Sequence, residues 1–216
     1  IKERNRSAGQ VRNDHLTLLV RDERGYRNLI RLSSIAYLEG FYYRPRVDLE
    51  LLAAHAEGLI AMSGCLQGGV ARLLLADRWK EARELASRLA SMFGTGSFYL
   101  EIQNHGIPDE LALIPRIVKL AEETGLPLAA TNDCHYLRAA DHAAHDVLLC
   151  LQTGKDIDDP ARVMKSHPET YFKSPDEMIS LFADFPRALA ATIEIAEKCS
   201  FTLPESSSQL PRFPLP

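Results

Sequence analysis

Asp133 and His135 close the apolar run Pro127-Leu-Ala-Ala-Thr-Asn132, where a buried strand would open into a loop. Strand ends are rigid and the loops beyond them are free to vary, so α/β proteins place chemistry there. Asp133 offers a hard carboxylate and His135 a borderline imidazole, and two positions apart on extended chain they can point to the same side. Two more metal-capable side chains hold comparable positions. His15 heads the apolar segment His15-Leu-Thr-Leu-Leu-Val20, and Cys65 follows Leu59-Ile-Ala-Met62 through Ser63-Gly64. Taken singly, each has an ordinary explanation: a cysteine is commonly a small core residue, and a histidine beside Asp14 can be half of a surface ion pair. Together, two histidines, a thiol and a carboxylate form a ligand set for zinc or a similar divalent ion. Their wide spacing argues against a zinc knuckle.

The elements that must position these residues follow from the hydrophobic pattern. His15–Val20 reads as a buried strand, and Tyr26, Leu29, Ile30, Ser33 and Tyr37 recur at helical spacing up to Gly40. Asp48 caps a short helix ending at Glu57-Gly58. Leu59–Met62 is a second strand, followed by one long helical stretch carrying Leu74, Trp79, Ala82, Leu85, Ala86, Leu89 and Phe93 on one face. Phe98–Ile102 is a third strand and Pro108–Gly125 a helix, in which Pro115 predicts a kink or a late start. Pro127–Asn132 is the fourth strand. Strand and helix alternate with no hairpin signal, which predicts a parallel sheet, open or closed into a barrel. Beyond Tyr136 the chain turns helical, over Ala139–Thr153, from the Ser174-Pro-Asp-Glu177 start signal, and over Pro186–Cys199. Residues 1–14 read as a polar surface loop and the proline-rich 201–216 as a linker.

Other polar clusters carry less. His142, His145 and Asp146 stand at helical spacing, which fits a solvated face or capping cluster better than a metal site. His105, in Asn-His-Gly, reads as a turn former, and Thr153-Gly-Lys155 lacks the upstream glycine of a phosphate loop. Arg44 and Arg46, interleaved with Phe41, Tyr42 and Tyr43, suit contact with DNA or with another domain. A charged fraction of 25% with 46% hydrophobic residues excludes a disordered chain, and a net charge of −4 argues against nucleic-acid binding by bulk electrostatics. Four cysteines without a Cys-x-x-Cys pair predict reduced thiols, and without a long apolar run or a leader the chain is expected in the cytoplasm with no membrane partner.

Several blocks also carry a resemblance. Ala36-Tyr-Leu-Glu-Gly-Phe-Tyr-Tyr-Arg-Pro-Arg-Val-Asp48, Glu57-Gly-Leu-Ile-Ala-Met-Ser-Gly-Cys65, Ala130-Thr-Asn-Asp-Cys-His-Tyr136, His145-Asp-Val-Leu-Leu-Cys-Leu-Gln-Thr-Gly-Lys155 and Leu210-Pro-Arg-Phe-Pro214 resemble, in order, the PHP (polymerase and histidinol phosphatase) domain of bacterial replicative DNA polymerase III alpha subunits. The resemblance implies a distorted seven-stranded β/α barrel whose strand ends bind divalent metals, zinc with manganese or magnesium as alternatives, and hydrolyse phosphoesters, in some members as a 3′–5′ exonuclease. His15, Cys65, Asp133 and His135 fall on family metal-ligand positions, with Asp133 and His135 as the catalytic pair. The family's earlier motifs, a His-x-His, an acid, a further His and a Glu, find no match in Ile1–Asp14, so the expected barrel lacks its first strands. Residues 15–200 would be the C-terminal part of the PHP domain and 201–216 a linker toward the polymerase domain. The implied partners are DNA, that polymerase domain, the proofreading exonuclease subunit and other replicase subunits. The implied parent is a DNA-directed DNA polymerase whose polymerising residues lie outside this sequence; the alternative is a catalytically silent PHP domain that scaffolds the polymerase and docks the exonuclease.

Overall fold

The computed structural model describes residues 13–203. Nearly all of the N-terminal loop and of the C-terminal linker read from the sequence therefore lie outside the described residues. Four strands, β1 (Thr17–Val20), β2 (Leu59–Met62), β3 (Phe98–Gln103) and β4 (Leu128–Thr131), form one sheet in sequence order. Around it stand α1 (Glu23–Leu38), α2 (Leu49–Ala54), α3 (Gly69–Leu75), α4 (Trp79–Phe93), α5 (Pro108–Thr124), α6 (His142–Thr153), α7 (Pro175–Leu181) and α8 (Pro186–Lys198).

The sheet is mixed. β2, β3 and β4 run parallel, but β1 pairs antiparallel with β2, Thr17 opposite Met62 and Val20 opposite Leu59. This corrects the all-parallel expectation. Two helices rather than one separate β1 from β2, and β2 begins beside the residue where β1 ended. Arg21 N donates to Gly58 O at 2.9 Å at that junction. β1 is also half-buried rather than buried, being one of the two edge strands among the described residues.

Alternation along the strands sorts the side chains between two faces. Leu59, Ala61, Phe98, Leu100, Ile102 and Ala130 join the main core with α3, α4 and α5. Ile60, Met62, Tyr99 and Ala129 face the other way and pack with Ala191 and Ile195 of α8. Glu101, Gln103 and Thr131 continue this second face toward the C-terminal strand ends, beyond the apolar patch that α8 covers.

The expected long helix after β2 is two. The chain breaks between α3 and α4, where Asp77 takes φ 55°. Arg116 of α5 holds the break, its guanidinium donating to Leu74 O at 2.6 Å and to Asp77 Oδ1 at 2.5 Å. Pro115, expected to kink α5 or delay its start, lies within a helix that already begins at Pro108.

Candidate metal centre

The antiparallel turn of β1 has a direct consequence for the site. It lays His15, just before β1, beside the exit of β2, where a parallel strand would have carried it to the opposite edge. His15 N bonds Gln67 O at 3.0 Å, and Cys65 Sγ lies 3.9 Å from His15 Nδ1. Gly64 permits this approach. It sits at φ 83°, and a Cβ there would meet the His15 carbonyl oxygen at 3.0 Å.

Asp133 is also strained, at φ 42°, a region that side chains other than glycine seldom occupy. The surrounding chain over-determines it. His105 Nε2 donates to Asn132 O at 2.7 Å, and His135 N donates to Thr170 O at 2.8 Å. Asp133 and His135 point to the same side as expected, with Oδ2 and Nε2 3.5 Å apart and both side chains about half-exposed.

His15, Cys65 and Asp133 line one cleft of about 510 Å³, together with Asp14, Arg46, Glu101 and Gln103. His135 does not line it; its ring stacks on His145 at 5.8 Å instead. The four predicted ligands thus come as two pairs, His15 with Cys65 and Asp133 with His135. No three metal-capable side chains gather around one point among the described residues.

Glu101 was not singled out by its sequence context, although one carboxylate in the otherwise apolar Phe98–Ile102 was a usable signal. Buried in mid-sheet, it accepts from Gly64 N at 3.1 Å, from Gln103 Nε2 at 3.0 Å and from the Thr131 hydroxyl. Burial pushes its carboxyl above the usual range, the three donors oppose that, and the nearby charge of Asp133 adds to it. Burial likewise raises the Cys65 thiol, and the negative charges of Asp133 and Glu101 raise it further. The cleft therefore concentrates negative charge beside a thiol. In addition, Gln103 Oε1 and Asn132 Oδ1 are buried without a hydrogen-bond partner. Of the two, Gln103 lines the cleft beside Glu101, where a spare acceptor suits a cation or the waters it carries, and the nitrogen, sulfur and oxygen donors suit a borderline ion.

Three further histidines are held by hydrogen bonds within the protein. His105 is no mere turn former: its Nδ1 lies 2.9 Å from Glu110 Oε1, both side chains buried. Burial works against a charged His105, but the Glu110 carboxylate and the Asn132 carbonyl outweigh it and raise its pKa. The bonds tie the exits of β3 and β4 to the start of α5. His142 and His145 bond the backbone and hydroxyl oxygens of Ser166, while Asp146 holds Arg162 and Ser166 N.

Residues 3–105 match the family described as PHP domain. The chain is 44% identical over 202 residues to DNA polymerase III subunit alpha of Treponema pallidum, 43% over 208 residues to that of Thermus aquaticus and 45% over 195 residues to that of Helicobacter pylori. These alignments cover 94%, 94% and 86% of this chain but 17%, 17% and 16% of the relatives, so the chain spans about a sixth of their length. Nearly the whole chain is thus similar to one stretch of DNA polymerase III alpha subunits, and residues 3–105 within it are similar to the PHP domain.

Proposed function

We propose that this chain serves DNA replication in the cytoplasm as the metal-binding PHP portion of a DNA polymerase III alpha subunit, and that its cleft hydrolyses phosphodiesters in the 3′–5′ direction. One observation carries the reading: His15 and Cys65 meet at 3.9 Å on the rim of a cleft that Glu101 and Asp133 make acidic. In this reading residues 15–200 are the C-terminal part of the domain, and the four strands belong to its seven-stranded barrel.

His15, Cys65, Asp133 and His135 would hold divalent ions, zinc above manganese or magnesium because a thiol and imidazoles are among the donors. Such ions, when bound, lower the pKa of a coordinated water toward neutrality and stabilise charge on a leaving oxygen. The chain's own residues set the stage for that. Glu101, through Gly64 N, fixes the backbone that presents Cys65. His105 and Thr170 fix the backbone on either side of Asp133. The polymerase domain of the same subunit, DNA, the proofreading exonuclease and other replicase subunits would be the partners. A second reading, a silent domain that scaffolds the polymerase and docks the exonuclease, is favoured by the separation of the donors into two pairs.

Asp133→Asn in the full-length subunit distinguishes the two. Bound metal, measured by elemental analysis, should fall at least about tenfold. Release of nucleotides from the 3′ end of single-stranded DNA should fall with it, while nucleotide incorporation persists. Equal loss of both activities with metal retained would make Asp133 structural and favour the scaffold.

A further inference from the structure

Between α1 and α2 the chain makes a turn that the metal cleft does not explain. Tyr42 N donates to Arg44 O at 3.1 Å, and Tyr43 between them is forced to φ 59°. A bulky residue in that region is strained, and packing does not repay the strain, because Tyr43 is 85% exposed. What the turn achieves is display. The ring of Tyr43 stands in solvent edge-on to Tyr42, centroids 4.6 Å apart, and the Arg46 guanidinium braces Tyr42 from 5.2 Å. Gly40 locks this arrangement onto the end of α1, since a Cβ there would lie 2.1 Å from Arg46 O.

The turn is continuous with the cleft. Pro45 and Arg46 line the same cavity as His15, Cys65 and Asp133. A ligand spanning both regions must offer flat apolar faces to two tyrosines, negative charge to Arg44, and a reactive phosphodiester to the acidic, cation-seeking floor. Single-stranded nucleic acid meets all three requirements, whereas a duplex hides its base faces within the stack. We propose that Tyr42, Tyr43 and Arg44 form a stacking platform for the terminal bases of a single strand, seating it so that its end reaches the cleft. This rests on the metal-hydrolase reading of that cleft.

The test uses the full-length subunit and single-stranded oligodeoxynucleotides carrying 5-iodouracil at the 3′-terminal base. After irradiation, peptide mapping should find the adduct on Tyr42 or Tyr43. Tyr43→Ala should cut crosslink yield at subsaturating DNA about tenfold, as expected for one lost stacking contact, and Tyr43→Phe should restore it. Adducts confined to other parts of the subunit would overturn the platform. So would a turn whose backbone amides are protected from hydrogen exchange without DNA and lose that protection in Tyr43→Ala, the sign of a packed interdomain contact. The two readings fail separately. If Asp133→Asn leaves hydrolysis intact while the adduct forms, the hydrolase reading falls and the platform stands. If Asp133→Asn abolishes hydrolysis and no adduct forms on the turn, the platform falls alone.

Discussion

Replacing Gly25 with alanine is expected to destabilise the β1–β2 edge of the sheet by about 3 kcal/mol or more. A Cβ at Gly25 would stand 1.8 Å from Gly58 O and 2.4 Å from Gly58 C, both backbone atoms that cannot swing aside. The same carbonyl accepts from Arg21 N, so displacing it also breaks the bond that closes the junction. The second turn of α1 is further tied to this corner by Asn28 Nδ2, which donates to Glu57 O at 2.8 Å. Gly154→Ala is the control. Its site is open, with no atom within 4 Å of the added Cβ, and only its left-handed φ of 62° resists, for about 1 kcal/mol. Hydrogen exchange of the Thr17–Val20 and Leu59–Met62 amides in the full-length subunit reads the difference. Equal protection in the two variants would show that α1 does not dock on Gly58 this closely.

Glu101→Ala should cost about 3 kcal/mol, again read by exchange of the β3 amides. Gly64 N would lose its buried acceptor, the Thr131 hydroxyl would lose one as well, and a cavity would remain. Glu101→Gln keeps one acceptor oxygen for Gly64 N and nearly the same volume, so it should lose roughly half as much. The alanine variant should also free the Ser63–Cys65 backbone. If alanine and glutamine were equally mild, Glu101 would not hold the strand ends together.

Local chemistry made much of this fold legible. Asp48 caps α2 by accepting from Leu51 N at 2.8 Å, and α7 begins at the start signal read from Ser-Pro-Asp-Glu, where Ser174 and Glu177 form a capping box. Gly125 ends α5 in the left-handed conformation. What the sequence hid depends on partners far along the chain. The break at Asp77 is set by Arg116, 39 residues later, with no glycine or proline to announce it. The direction of β1 is fixed by its pairing with β2, about 40 residues later, which no window of residues encodes. At the site, strand-end position singled out His15, Cys65 and Asp133, which do share a cleft. It missed Glu101 because a lone carboxylate in a strand looks like a solvent-facing residue until the sheet around it is known.

The central claim is that this cleft holds a divalent ion, and the reactivity of Cys65 tests it most directly. Without an ion, burial and the charges of Asp133 and Glu101 hold the thiol above its ordinary range. A bound ion reverses this, converting the sulfur to a coordinated thiolate that a maleimide cannot reach. In the full-length subunit at mildly alkaline pH, Cys65 should therefore resist labelling when metal is bound and react after chelation, while Cys199, a partly exposed thiol raised by burial alone, labels at the same rate in both. Identical labelling of Cys65 with and without chelator would contradict the account and remove Cys65 from the site.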